Sequence, residues 1–395
     1  MSSATLPLYP SCVDHSSKET LVILDGGLGT TLEQTFGLDI SNTALWSAKA
    51  AIEHPEVIVA AHLAFLRAGA RIILTSTYQC ALSTFQTAGY ADADAYAIMA
   101  ACVRLAAEAR LRFRDEQSRP DAPGPDNPAA KIVLSLGPFG AGLVPAQEFD
   151  GFYPPPFGPR GYTPGGSNCN AFGGDAAGQA AEEAATAALA RFHFERLCVF
   201  ADDEATWAGL DFIAFETVPL VREIRAIRRA MAALEARRGV GRKPWWISFV
   251  FPEGQFPESV GDGERAKIPV RSVVAAALQT DGRLEHLPCP SALGINCTAM
   301  DAIPRVLAEM EAAVLEFRAP EQDRPWLVIY PNGGDVYDPV SQTWVVQDKR
   351  SVWAEQLTEL VAETQSRGVW AGVVAGGCCR TGPEDIALLS KLHRR

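Results

Sequence analysis

Residues 212–234 read FIAFETVPLVREIRAIRRAMAAL, and this stretch contains one complete unit of the fold. Phe212–Phe215 is a short, continuous apolar run, the pattern of a parallel strand covered on both faces. Leu220, Ile224, Ile227, Met231 and Leu234 then recur at spacings of 4, 3, 4 and 3, which draws one apolar stripe along a helix. Working outward, similar runs occur at Leu21–Leu24, Ile72–Thr75, Ile132–Leu136, Trp245–Val250, Leu293–Asn296, Trp326–Tyr330 and Trp370–Ala375. Helical stripes stand between several of them: Ile58, Ala61 and Phe65; Ile303, Leu307, Met310, Val314 and Phe317; Trp353, Leu357, Leu360 and Thr364. Eight strand-then-helix units in 395 residues predict an α/β chain folded as a (β/α)8 TIM barrel, one domain over residues 1–395. An open doubly wound sheet stays as the alternative, because periodicity alone does not close a barrel.

Two stretches interrupt the alternation. Residues 119–128 (RPDAPGPDNP) and 153–178, which contain PPPFGPRGYTPGG, are predicted loop insertions of disorder-prone composition. The second follows the third strand, on the face where barrel active sites form. It is either a lid or a passive surface loop.

The formal net charge of −12, with no basic stripe, argues against nucleic acid or an anionic membrane as partner. No apolar stretch reaches the length of a membrane span, and the first ten residues lack a charged start followed by an apolar run. The sequence therefore reads as a soluble, cytoplasmic protein. Nine cysteines in such a chain point to metal or thiol chemistry rather than a disulfide framework.

In a barrel the C-terminal ends of all strands converge on one mouth. The sixth strand ends in Gly294-Ile295-Asn296-Cys297-Thr298 and the eighth in Gly376-Gly377-Cys378-Cys379-Arg380-Thr381. Cys297, Cys378 and Cys379 can meet there. Three thiolates suit Zn2+ and leave one position open, the pattern of a catalytic site; buried cysteine used as a small apolar residue is the plainer alternative. Cys12, Cys80, Cys102, Cys169, Cys198 and Cys289 lack such a setting. The first strand ends in Asp25-Gly26-Gly27-Leu28-Gly29-Thr30, a turn that can offer backbone N–H groups to an anion, with Asp25 able to hold an ammonium group or to cap the next helix. Glu216 follows an apolar run, so its carboxylate is expected in the mouth, facing either a ligand ammonium or a structural Arg. Tyr78 can face a cation. The six histidines form no pair at helical spacing, and no Gly-x-Ser-x-Gly turn is present, so histidine-bound zinc hydrolases and α/β-hydrolases are disfavoured.

Taken together, these strand ends resemble the homocysteine S-methyltransferase family. The matching pieces are Asp25-Gly26-Gly27, Leu45-Trp46-Ser47-Ala48, Thr75–Gln79, Gly137-Pro138-Phe139-Gly140-Ala141, Phe215–Pro219, Gly294–Thr298, Tyr330–Gly333 and Gly376–Thr381. The resemblance implies a (β/α)8 barrel and zinc ligands at Cys297, Cys378 and Cys379. It implies that Asp25 and Glu216 hold the amino group of homocysteine and that the turn at Gly26 and Gly27 takes its carboxylate. Tyr78 and Asn296 join them as candidate substrate contacts. The implied donors are S-methylmethionine, S-adenosylmethionine or, in a distant branch, betaine, with a role in methionine biosynthesis; the sequence leaves the oligomeric state, monomer or homodimer, open. Other thiols or selenols as acceptors, and a non-catalytic zinc protein, are the competing readings. After Gly140 the family's Asp-Gly-Ser-Glu-Tyr stretch is replaced by Val144–Asp150, as in a fungal-type member, and Glu148 is a candidate for part of the lost contact.

Overall fold

Apolar residues on both sides of each run make strands that are covered inside and out, and in the folded chain they alternate, save at Val218, which follows a register slip. On β4 (Phe212–Val218) Phe212 and Ala214 belong to the cluster inside the barrel, and Ile213 and Phe215 to the one beneath the helices. The same parity holds on β5 (Trp245–Phe249), where Trp246 is inside and Trp245, Ile247 and Phe249 are outside, and on β7 (Trp326–Tyr330), where Trp326, Val328 and Tyr330 are inside. The other strands are β1 (Leu21–Ile23), β2 (Ile72–Leu74), β3 (Lys131–Leu136), β6 (Ala292–Asn296), β8 (Val336–Asp338), β9 (Thr343–Val345) and β10 (Val373–Ala375). This computed structural model describes residues 21–40, 45–118, 129–261, 266–280, 287–318, 323–333, 336–338, 343–345 and 350–394.

Eight strands pair in parallel in the order β1-β10-β7-β6-β5-β4-β3-β2. The two ends of that list meet through a parallel bridge between Leu24 and Ile72, flanked by Asp25 N–H to Ile72 O (3.0 Å) and Arg71 N–H to Ile23 O (2.8 Å). The sheet is thus a (β/α)8 barrel, and the open-sheet alternative falls away. Most of the predicted stripe residues face the barrel, whereas Ile58 and Ala61 pack in a separate cluster with Leu32, Ile40 and Cys102, and Leu220 packs with Phe139 and Tyr153. Ile224, Ile227, Met231 and Leu234 are buried on the helix Val221–Glu235, and Ile303, Leu307, Met310 and Val314 on the helix Ile303–Phe317. The antiparallel hairpin of β8 and β9 follows β7 and was not foreseen.

The insertion at 153–178 is a loop, as its Pro and Gly content predicts, but a firmly packed one. Tyr153 is fully buried and its hydroxyl donates to Glu223 (2.7 Å). The Asn170 amide donates to Asp150 O (2.6 Å) and Pro257 O (3.0 Å), and its oxygen accepts from Ser259 N–H (3.0 Å). Arg222 reaches Asn170 O (2.6 Å) and Glu258 (3.1 Å) from below. The loop ends earlier than expected, since Asp175 caps the helix Ala176–Ala201 by accepting from Gly178 N–H (2.8 Å). The expected insertion at 119–128 and Cys12 lie outside the described residues. Among the described residues no helix is long and apolar enough to cross a membrane.

Candidate active site

β6 and β10 flank β7, and the carbonyls at the end of β7 hold both cysteine-bearing turns. Cys297 N–H donates to Tyr330 O (3.3 Å) and Cys378 N–H to Pro331 O (2.8 Å). The Cα atoms of Cys297 and Cys378 are 5.5 Å apart and their sulfurs are in bonding contact, although 81 residues separate them in sequence. With Cys379 they form a group whose three Sγ atoms all lie within 4.8 Å of one another. Cys297 adopts a positive φ of 48°, which a side-chain-bearing residue seldom takes. Such strain persists where the surroundings over-determine it, commonly at functional sites. Burial, and next the nearby carboxylate of Glu148, push the Cys379 thiol up to about 12. A bound dication reverses that balance by favouring the thiolate.

Beside the sulfurs stand two acids. Glu216 shares the inward parity of Phe212 and Ala214, and is 5% exposed. Burial raises its carboxyl to about 7, opposed by the Ser135 hydroxyl, which donates to it, and by the Tyr330 hydroxyl beside it. Asp25 is fully buried; burial first, and the charge of Glu216 as well, raise it well above the ordinary carboxylate range. Its Oδ2 accepts from Leu74 N–H (2.8 Å), whereas Oδ1 is buried with no partner among the described residues. No ion pair of the described residues reaches either acid. Two desolvated carboxyl groups without a cation make a strong site for a ligand ammonium.

Two expected substrate contacts have other occupations. The Asn296 carboxamide accepts from Thr217 N–H (2.8 Å) and donates to Thr217 Oγ1 (2.7 Å). Thr217 sits at φ 58°, where β4 slips register against β5, so Asn296 holds the strained backbone just after Glu216. The Gly27 N–H donates to Thr381 O (2.9 Å), so it is not open to a carboxylate. A Cβ at Gly27 would stand 2.5 Å from Cys378 O, and one at Gly26 would strike Thr381 O. These glycines let the cysteine turn lie directly on the first one. Tyr78 is half-buried at the mouth, its hydroxyl beside Thr217 and near Glu148.

The family described as homocysteine S-methyltransferase matches residues 22–393. The chain belongs to the homocysteine S-methyltransferase family. It is 31% identical to a homocysteine S-methyltransferase of Escherichia coli (strain K12), covering 94% of this chain and 95% of that one. A selenocysteine Se-methyltransferase of Brassica oleracea var. italica is 30% identical, covering 95% of this chain and 92% of that one. Among solved structures, the metallated form of the homocysteine methyltransferase MmuM from Escherichia coli superposes with a TM-score of 0.62 at 27% identity, covering 95% of this chain and 97% of that chain.

As a homocysteine S-methyltransferase family member, the chain has further mouth residues that the pattern reading passed over. Ser135, which orients Glu216, is the lone hydroxyl in the apolar run Ile132–Leu136, and that was its signal. Arg196, fully within the protein, donates to Cys80 O (2.7 Å), Gly137 O (2.7 Å) and Tyr78 O (3.1 Å), tying the turns after β2 and β3 together. Glu223 accepts from Phe139 N–H (2.7 Å) and the Tyr153 hydroxyl (2.7 Å) and lies 2.9 Å from His193 Nε2. Neither residue had a local signal, because each acts across more than 25 positions of sequence.

Proposed function

We propose that the protein transfers a methyl group from a sulfonium donor, S-methylmethionine or S-adenosylmethionine, to the thiol of homocysteine, giving methionine, with zinc held by Cys297, Cys378 and Cys379. The observation that carries this reading is the set of three Sγ atoms within 4.8 Å of one another beside two buried carboxyl groups without a cation. Three sulfurs bound tetrahedrally at about 2.3 Å from Zn2+ stand about 3.8 Å apart, within the 4.8 Å span of this group, so the cysteines fit the ion once Cys297 and Cys378 are separate thiols rather than joined. Three protein donors also leave a fourth position, whereas structural zinc takes four. That speaks against a zinc-storing protein, since among the described residues the group contains only these three.

Zinc held there supplies the Lewis acidity that makes a thiolate available at neutral pH. Asp25 and Glu216 hold the homocysteine ammonium and so aim its sulfur at the cysteines. Ser135 fixes the rotamer of Glu216, and Asn296 fixes the backbone that follows it. In the displacement the homocysteine sulfur forms a bond to the donor's methyl carbon as the bond from that carbon to the sulfonium sulfur breaks. The electron pair stays on the departing sulfur, which becomes a neutral sulfide, and the thiol proton goes to solvent. Charge is neutralised in this step, so a dry mouth favours it, and alignment of the two sulfurs contributes much of the rate.

The Brassica relative supports a second acceptor, a small selenol, on the same machinery. The thiol-rich centre suits a reducing compartment, so we place the protein in the cytoplasm as a single barrel domain. The test is to assay purified protein with homocysteine or selenocysteine and each donor, betaine included, alongside metal analysis. Methionine formed from a sulfonium donor, with about one zinc per chain, supports the proposal. Full turnover without metal, or no methyl transfer to homocysteine from any donor, refutes it.

A further inference from the structure

Glu148, a half-buried residue, is the acid of the mouth that the scheme above does not use. It lies in the turn between β3 and the insertion. Gln147 N–H donates to Gly140 O (2.9 Å), and Gly151 N–H to Gln147 O (2.9 Å), so the turn is pinned to the Gly137–Ala141 segment. Its Oε2 is buried with no partner among the described residues, and its own backbone N–H is the one favourable contact of the carboxylate. Burial and neighbouring Asp150 raise it to about 7. The groups that feel its charge are the Tyr78 hydroxyl and the Cys379 thiol, for each of which it is the largest charge influence after burial. Glu148 therefore lies near both an aromatic ring and the sulfur cluster, and among the described residues no cation stands among the charges that act on it.

A buried carboxylate without a counter-ion is costly unless a ligand brings the charge. The acceptor's ammonium already has Asp25 and Glu216. The remaining cation in the reaction is the donor, whose sulfonium must approach to about 3–3.5 Å from the attacking sulfur. We propose that Glu148, with the face of Tyr78, is the counter-charge that recognises the sulfonium pole of the methyl donor, and so selects a sulfonium over the neutral sulfide that remains after transfer. This rests on the methyl-transfer reading above. Because the donor's charge disappears along the reaction, the contact is stronger in the ground state than in the transition state. Its loss then weakens donor binding without slowing the chemical step.

The test uses the zinc-loaded, full-length protein and Glu148→Gln, with no homocysteine present, so that binding is read without turnover. Titration calorimetry with S-methylmethionine and, separately, with methionine reports the sulfonium and its neutral sulfide, which share the same ammonium. The expected result is a Kd for S-methylmethionine about ten-fold weaker in Glu148→Gln, a Kd for methionine changed by less than about two-fold, and partial recovery in Glu148→Asp. In the assay the donor KM rises by a similar factor while kcat, homocysteine KM and zinc content hold. Unchanged S-methylmethionine binding in Glu148→Gln, or equal weakening for both ligands, overturns the proposal. Absence of sulfonium binding by the unsubstituted protein overturns the donor reading itself, and this inference with it.

Discussion

The carboxamide of Asn296 at the end of β6 grips both the N–H and the hydroxyl of Thr217 at the end of β4, at 2.8 Å and 2.7 Å. It crosses β5 to do so, and it holds Thr217 at a φ of 58° that a β-branched residue seldom adopts. Asn296→Ala leaves a buried N–H without a partner, which costs about 1–3 kcal/mol. The backbone after Glu216 then relaxes. Chemical denaturation should show that loss, and homocysteine KM should rise while zinc content holds. Unchanged KM in a folded Asn296→Ala protein counts against this positioning role.

Cys378→Ser should reduce bound zinc to less than about a tenth of the parent's and abolish turnover, because two sulfurs and a hydroxyl make a much poorer donor set than three thiolates. Chelation of the parent should do the same reversibly. Elemental analysis paired with the methyl-transfer assay checks both; a metal-free protein with full activity contradicts the assignment.

Glu216 sets a pH dependence whose sign can be worked out. Its carboxyl is raised from 4.5 to about 7 by burial, so between those values the folded chain binds a proton that the unfolded chain has released. Stability without ligand should therefore fall as pH rises from 4.5 to about 7, by up to ~3 kcal/mol from this group. Glu216→Gln should flatten that slope in denaturant titrations across the window. Homocysteine affinity should run the other way, strengthening as pH rises through about 7, because only the ionised acid holds an ammonium.

Asn170→Ala should destabilise the insertion, since its side chain joins Asp150, Pro257 and Ser259. Faster proteolysis confined to 153–175, with altered donor KM, is the expected outcome. Excision of Tyr153–Gly178 should instead lower the melting temperature of the whole barrel, because it removes the first turn of the helix Ala176–Ala201 and the Tyr153 partner of Glu223. A deletion protein with an unchanged melting temperature contradicts that.

The barrel was legible because eight apolar runs are spaced along the chain with helical stripes after four of them, and because the cysteine and acid positions fall where such runs end. What stayed hidden depends on pairing at a distance. Parity could not be read from Ile213-Ala214-Phe215, where both faces are apolar, yet parity is what turns Glu216 inward. Nothing in Asn296 or Thr217 announces that one clamps the other. Gly26 and Gly27 were visible as a turn, but the carbonyls that need their bare backbones belong to Cys378 and Thr381, more than 350 positions later. The insertion's Pro and Gly content predicted a loop to residue 178, yet the helix Ala176–Ala201 starts inside those bounds, and composition does not reveal single anchors such as Tyr153 and Asn170.

The seam of the barrel carries one further implication. Where β1 meets β2 the ladder amounts to a single bridge, and the next rung upward is supplied by the Asp25 side chain accepting from Leu74. The residue that would greet the amino acid is also a rivet in the wall. Reshaping this enzyme for acceptors without an amino group is thus better begun at Glu216, whose neighbours are hydroxyls, than at Asp25, where each substitution risks unzipping the cylinder along its weakest line.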